Sequence, residues 1–295
     1  MTVLVFGSAN ADLVFALPAL PAPGETVMGQ GMRALPGGKG ANQAVAAARD
    51  GAEVAFAGCI GRDAFASIAT EALVAAEVDL SRVLEVEAPT GCAAICVDAA
   101  GRNQIAVAPG ANAEARAAQV EDAALHPGST LLLQMEVPAA EVATIIHRAR
   151  ARGARIILNL APPGELPVEA LAALDLLVVN EHEAAVLAIR LGLADPQALR
   201  RTLGIDVVVT QGEAGAIWLT AAGAVAVPAF PVTALDTTGA GDCWCGVLAG
   251  ALDRGMDMAS AMRRAAAAAA IACTRPGAAP SYPTSAETDA FLLNR

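Results

Sequence analysis

Short runs of Val, Leu and Ile alternate along the chain with longer segments in which apolar residues recur every three or four positions. Runs at 3–7, 54–57, 131–134, 155–160, 176–180 and 207–210 read as strands buried on both faces, because they lack a polar alternate position. Segments 41–49, 138–152 and 181–191 carry the helical period and fit between them. Alternation of this kind predicts an α/β fold, a mostly parallel sheet with helices on both faces. Two stretches, about 12–34 and 90–107, break the rhythm with short strand-like pieces, Pro and Gly punctuation and no helical period. They predict a small β-sheet inserted into the main unit. A sheet of that size is marginal unless it packs on something, so a lid or a dimer contact is the expected role. No Pro/Ser/Gly linker and no fixed repeat divides the chain, and one unit spanning 1–295 is expected.

Composition narrows the class. With 295 residues, 55% hydrophobic and 17% charged, the chain is neither disordered nor a small disulfide scaffold. Its mean hydropathy of +0.50 comes from alanine. The longest apolar runs, such as 265–273, fall short of the ~20 residues a bilayer span needs, so no membrane association is expected. The first fourteen residues carry no basic segment, long apolar run or cleavage site, and a cytoplasmic location is expected. The six Cys sit inside apolar stretches and read as reduced thiols. Cys243 and Cys245 point about 200° apart on a helix and do not make a zinc site. A net charge of −11 leaves no basic field for nucleic acid. The one basic cluster, Arg148, Arg150, Arg152 and Arg155, surrounds Gly153 and reads as the C-terminal end of a helix.

Three clusters carry candidate chemistry. Segment 235–242 places Gly239 and Gly241 in a turn ahead of an apolar helical run. Clustered N–H groups and the positive end of a helix make an anion site there, suited to phosphate. Asp242 at its head is either a helix cap or a base poised beside that site. Segment 36–42 opens into a helix and holds Lys39, the sole lysine against eighteen arginines. An ammonium among glycines suits a small polar ligand where backbone crowds the space. It is not a P-loop, because Arg33 and Gly40 occupy positions that need Gly and Ser/Thr. The loose match Gly29-x-Gly31-x-x-Ala34 to a dinucleotide fingerprint has no helix after it. The third cluster, 180–183, follows a strand, where Glu183 reads as an acidic first-turn residue or as a group acting on Mg²⁺ through water.

Gly37-Gly-Lys-Gly-Ala-Asn42 followed by Gly58-Cys-Ile-Gly-Arg-Asp63 resembles the first signature of the PfkB carbohydrate kinases, and Asp236-Thr-Thr-Gly-Ala-Gly-Asp242 resembles the second. Gly7-Ser-Ala-Asn-Ala-Asp12, Pro23-Gly-Glu-Thr-Val27 and the segment 274–281 look like the ribokinase branch of that family. The resemblance implies a ribokinase-like fold with a β lid that forms a homodimer contact, and an ATP-dependent sugar kinase whose first candidate substrate is D-ribose. Alternatives on the same scaffold are a nucleoside, fructose or a keto-deoxy sugar acid, and a non-catalytic sugar-binding regulator is a further one. For a nucleoside the chain has few aromatic residues, one Tyr, two Trp and six Phe. A phosphosugar calls for an extra lid cation, for which Arg33 is available. By the same resemblance Asp242 is the base and the N–H groups of Gly239, Ala240 and Gly241 form the anion hole. Asn10, Asp12, Gly38, Lys39, Asn42 and Glu136 would hold the sugar. Asn180 and Glu183 correspond to the Mg²⁺ and phosphate motif, and Thr210, Gly212 and Gly215 to the nucleotide segment. Asp236, Thr238, Ala272, Arg275, Gly277 and Ser281 match a K⁺ site, several through carbonyls. One departure is Cys243-Trp-Cys-Gly246 where the branch commonly has Thr-Phe-x-Gly; Trp244 bears either on packing beneath the site or on the width of the sugar pocket.

Overall fold

Thirteen strands and nine helices alternate through residues 2–294, which the structure, a computed structural model, describes. The first half contains β1 (Thr2–Phe6), β2 (Asn10–Ala16), β3 (Gly31–Gly37), α1 (Lys39–Arg49), β4 (Val54–Gly61), α2 (Ala64–Ala75), β5 (Asp79–Val86), β6 (Gly91–Val97), β7 (Asn103–Ala108) and β8 (Ser129–Leu133). Next come α3 (Ala139–Arg152), β9 (Arg155–Asn159), α4 (Val168–Ala172), β10 (Leu176–Asn180), α5 (Glu181–Arg190), α6 (Leu199–Leu203) and β11 (Asp206–Thr210). The chain ends with β12 (Ala216–Thr220), β13 (Gly223–Val227), α7 (Ala240–Asp253), α8 (Met258–Cys273) and α9 (Ser285–Leu293).

Nine strands form one sheet in the order β13-β12-β11-β10-β9-β8-β1-β4-β5. The seven from β11 to β5 are parallel, and β12 and β13 add an antiparallel edge. Side chains of β1 alternate between two cores. Val3 and Val5 join one with α1, α7 and α8, whereas Leu4 and Phe6 join the other with α3, α4 and α5. Burial on both faces is why the strands read as continuous apolar runs. Alanine lets α8 lie close against α7, since Ala265, Ala267 and Ala268 are fully buried. Gly153 ends α3 in the left-handed conformation with Arg150 and Arg152 in the last turn, the role expected of the basic cluster. Among the described residues no helix is long and apolar enough to cross a membrane.

The remaining four strands make a separate sheet, β3-β2-β6-β7, in which β2 and β6 run parallel. Its strands begin at Asn10 and extend to Gly37, beyond the stretch read from the sequence, because the glycine cluster continues the β3 ladder before α1 starts at Lys39. Asn10 pairs with Gly37, so two candidate site segments are also the base of this sheet.

Strand order places the cleft. The chain proceeds from β1 to β4 on one side and later returns to β8 on the other, which makes the carboxyl ends of β1 and β8 a topological switch point, where open α/β sheets bind ligands. Residues 7–12 and 134–136 leave those two strand ends. Helix α1 is held at its far end by Asp50, whose buried carboxylate accepts from Arg264 Nε at 2.8 Å and Arg254 Nη2 at 2.6 Å.

Candidate active site

Glycines in 37–40 serve close approach. Gly38 has φ 89°, and a Cβ there would stand 2.8 Å from the Asn10 nitrogen; at Gly40 it would stand 2.6 Å from the Ser8 nitrogen. Only bare backbone lets α1 begin against the β1–β2 connection. The first turn of α1 then meets the loop after β8. Glu136 Oε2 accepts from the Lys39 backbone N–H at 2.9 Å and from Ser8 Oγ at 2.6 Å.

The second signature arrives at the same place. Asp242 Oδ2 accepts from Asn42 Nδ2 at 3.1 Å and Oδ1 from Gln43 Nε2 at 3.0 Å, across some two hundred residues of sequence. Helices α1 and α7 come this close because residue 246 is glycine; a Cβ there would stand 2.2 Å from the Gln43 carbonyl oxygen. Asp242 is not a cap: the N-cap of α7 is Gly239, at φ 72°, and the carboxylate is turned to α1 instead. Tyr282, fully buried, donates its hydroxyl to the Gly239 carbonyl at 3.0 Å and pins the turn. The N–H groups of Gly239 and Gly241 make no hydrogen bond among the described residues, and the space in front of Gly241 is open. The Ala240 N–H differs from the expectation: it donates to the Thr237 carbonyl at 3.2 Å, closing the turn, which leaves its neighbours as the free donors.

Beside this junction lies a cavity of about 360 Å³, bounded by Asn10, Asn112, Glu136, Met135, Pro162 and Val107 of β7. Asn112 is buried and saturated: Oδ1 accepts from Ala9 N at 3.0 Å, and Nδ2 donates to Asn10 Oδ1 at 2.7 Å and to the Ala9 carbonyl at 3.3 Å. With its oxygen so occupied, Asn10 has its NH₂ left to donate to a ligand. Asp12 faces the bare Gly37, where a Cβ would come within 2.2 Å of its carboxyl. Burial, reinforced by the Glu136 and Asp242 carboxylates and opposed by Lys39, pushes the Asp12 carboxyl up to about 7. The Asp242 carboxylate holds the Lys39 ammonium above the ordinary lysine value against the cost of burial, with help from Glu136 and Glu183. Four carboxylates, Asp12, Glu136, Glu183 and Asp242, therefore act on one buried cation.

At the ends of β10 and β11, Asn180 lies opposite Thr210. Asn180 caps α5 by accepting from Glu183 N at 2.8 Å, and Glu183 Oε2 accepts in return from Asn180 N at 2.8 Å. This reciprocal cap leaves Glu183 Oε1 for a ligand; burial raises the pKa of this carboxyl, and Lys39 opposes the rise. Gly212 (φ 55°) and Gly215 (φ 103°) shape the tight turn between β11 and β12. On the other flank, Asp236 accepts from Thr238 N at 2.9 Å and Gly277 N at 2.8 Å. Burial works against ionisation of this carboxyl, yet those donors hold it below the usual carboxylate range. Ala272 closes the α8 end by accepting from Arg275 N at 3.0 Å. The Arg275 side chain points out to Glu287 at 2.6 Å and reaches the Ser281 carbonyl at 3.4 Å, and the backbone that meets the Asp236 loop is the Cys273 carbonyl, which accepts from Asp236 N at 3.2 Å. Carboxylate and backbone carbonyl oxygens are the donor class that a hard cation takes.

Sequence reading passed over Ser8, Gln43, Asn112, Gln134, Asn159 and Tyr282. Of these, Gln43 and Ser8 adjoin recognised motif residues, a signal available in one dimension; the others gain meaning only from contacts. Trp244 is buried in the core with α1 and α8, so the Cys-Trp-Cys departure bears on packing there.

A family model described as pfkB family carbohydrate kinase matches residues 2–285. Ribokinase of Haemophilus influenzae is 36% identical over 301 aligned positions, covering 99% of this chain and 98% of the relative. Among solved structures, a ribokinase from Thermotoga maritima superposes with a TM-score of 0.92 at 34% identity, covering 100% of both chains. Arabidopsis thaliana ribokinase complexed with ribose and ATP gives 0.88 at 30% identity, covering 98% of each chain. Two signatures joined at one carboxylate, on this sheet order and at these similarities over the full length, lead to one conclusion: the chain belongs to the pfkB family of carbohydrate kinases.

Proposed function

We propose that the chain transfers the γ-phosphoryl group of ATP to the primary hydroxyl of a small sugar, D-ribose, forming ribose 5-phosphate and ADP. The observation that carries this reading is the 3.1 Å contact between Asn42 and Asp242, which brings a carboxylate and a turn of free amides to the first turn of α1, where the Lys39 N–H meets Glu136 of the cavity wall. Asp242 accepts the hydroxyl proton as that oxygen bonds to the γ-phosphorus and the bond to the bridging oxygen of ADP breaks. The N–H groups of Gly239 and Gly241, at the positive end of α7, stabilise charge spreading over the transferring group. Asn10, Asp12, Gly38, Lys39, Asn42 and Glu136 hold the sugar by donors and acceptors at set positions, so a polyol lacking one hydroxyl leaves a buried group unpaired.

The nucleotide lies over Asn180, Thr210, Gly212 and Gly215. Glu183 and Asn180 would hold Mg²⁺ through water, and that ion supplies neutralisation of phosphate charge. Asp236, Thr238, Ala272, Arg275, Gly277 and Ser281 would hold K⁺, which supplies a fixed positive charge behind the amide turn. The four-stranded sheet acts as a lid that excludes water. Its edge strands expose Met32, Ile105 and Val107, which supports a homodimer joined through the lids. Six free thiols support a cytoplasmic location.

The test is a panel of ribose, 2-deoxyribose, fructose, a keto-deoxy sugar acid and nucleosides, assayed for ADP release with and without K⁺. Ribose is expected to give the highest kcat/KM and K⁺ to raise it; a preference for a nucleoside overturns the substrate, and equal rates with and without K⁺ overturn the cation site. Asp242→Asn is expected to lower kcat by roughly 10²–10⁴-fold while ribose still binds. Unchanged turnover removes Asp242 from its assigned role.

A further inference from the structure

A chain of buried amides ends on Asp242. Gln134 Nε2 donates to Gln43 Oε1 at 2.7 Å, and Gln43 Nε2 donates both to Asp242 Oδ1 and to Asn159 Oδ1, each at 3.0 Å. Asn159 in turn donates Nδ2 to the Val178 carbonyl at 3.4 Å. Gln43 and Gln134 are fully buried and Asn159 is 8% exposed, so water does not compete for these groups. The polarity of the Gln43 amide is pinned from two sides, by Asp242 and Asn159, and Gln134, whose Oε1 is buried without a partner among the described residues, follows it. An ionised carboxylate only accepts, and Asn159 presents its oxygen; reversing Gln43 would set oxygen against both and NH₂ against the Gln134 NH₂. Four polar side chains from α1, β9, α7 and the loop after β8 thus agree on one arrangement, in which an NH₂ is aimed at the carboxylate.

We infer that Gln43 is a positioning residue for the base, orienting the Asp242 carboxylate, with Asn159 locking the direction of the donated hydrogen bond and Gln134 closing the other end of the amide. The inference rests on the proposed role of Asp242. A hydrogen bond donated to the charged form favours that form, and more so away from water. Asn42 holds Oδ2 while Gln43 holds Oδ1, so the carboxylate cannot rotate, and each oxygen keeps a lone pair for the incoming proton.

The experiment measures kcat and both KM values from pH 5 to 9 for Gln43→Met and Gln43→Glu, with folding checked by thermal unfolding. Met removes the donor at similar volume; Glu replaces it with a like charge. Expected is an upward movement of the acidic limb of kcat by about one pH unit for Met and more for Glu, with kcat at pH 7 down about tenfold or more and KM for ATP within about threefold. A lowered melting temperature with an unmoved limb marks a packing role and overturns the inference. Should neither variant fold, the unmodified chain decides: the side-chain amide signals of Gln43 and Gln134 should exchange slowly and titrate with the midpoint of the kcat limb, and pH-invariant or rapidly exchanging signals overturn the inference. Asp242→Asn runs alongside. If it stays active the base assignment itself fails; if it is inactive while the Gln43 limb does not move, only the positioning role fails.

Discussion

Asp12 makes sugar capture depend on pH near neutrality. Its carboxyl is pushed up to about 7 by burial first, then by Glu136 and Asp242, with Lys39 opposing. A carboxylate accepting from sugar hydroxyls is the binding form, so affinity should follow its ionised fraction. One unit above a pKa near 7 that fraction is roughly nine-tenths and one unit below roughly one-tenth, so kcat/KM for the sugar should fall about tenfold from pH 8 to pH 6. Turnover at saturating sugar should fall less, because bound ligand holds Asp12 ionised. The sign for stability is the opposite. The folded-state pKa lies above the ordinary aspartate value of 3.8, so the native state binds the extra proton, and this group's contribution is lost as pH rises from about 4 to about 7. Asp12→Asn should therefore flatten the kcat/KM profile between pH 6 and 8 and raise the melting temperature at pH 8, even as it weakens sugar binding. Steady-state kinetics with scanning calorimetry on both proteins is the assay. A flat profile in the unmodified chain, or an unaltered titration in Asp12→Asn, would refute the reasoning.

Asn112→Ala should raise KM for the sugar about tenfold with kcat largely kept, because Asn10 loses the partner that turns its NH₂ to the cavity; an unchanged KM counts against the role of that pair. Asp50→Ala should cost about 3–5 kcal/mol in urea unfolding, since Arg264 loses its buried carboxylate and keeps only the exposed Asp289, and a loss below about 1 kcal/mol would reduce the pair to surface strength. Trp244→Phe should lower stability by about 1–3 kcal/mol while leaving KM for ribose alone, as its ring lies in the core; altered sugar preference would count against a packing role alone.

Much of the architecture was legible in one dimension because it depends on local pattern. Runs such as 176–180 and 207–210 are apolar throughout, as strands covered on both faces must be, and glycines next to Lys39 and Asp242 mark turns wherever they fall. The antiparallel edge β12–β13 and the strand β5 left weaker traces: β13 is mostly exposed and β5 alternates irregularly, so neither has the uniform apolar run of a central strand. At the site, residue types were readable but their duties were not. Asp242 by itself reads as a cap before it reads as a base until α1 is brought against α7, and the N–H of Ala240 is free on paper but closes a turn in three dimensions. Asp12 is an ordinary carboxylate in the sequence; only its burial beside Glu136 and Asp242 pushes its carboxyl up, against the pull of Lys39. Backbone preference and hydrophobic period act over a few residues and are written in the sequence itself. Electrostatic coupling and amide orientation depend on distance and on exclusion of water, and those quantities came into being only when the chain closed on itself.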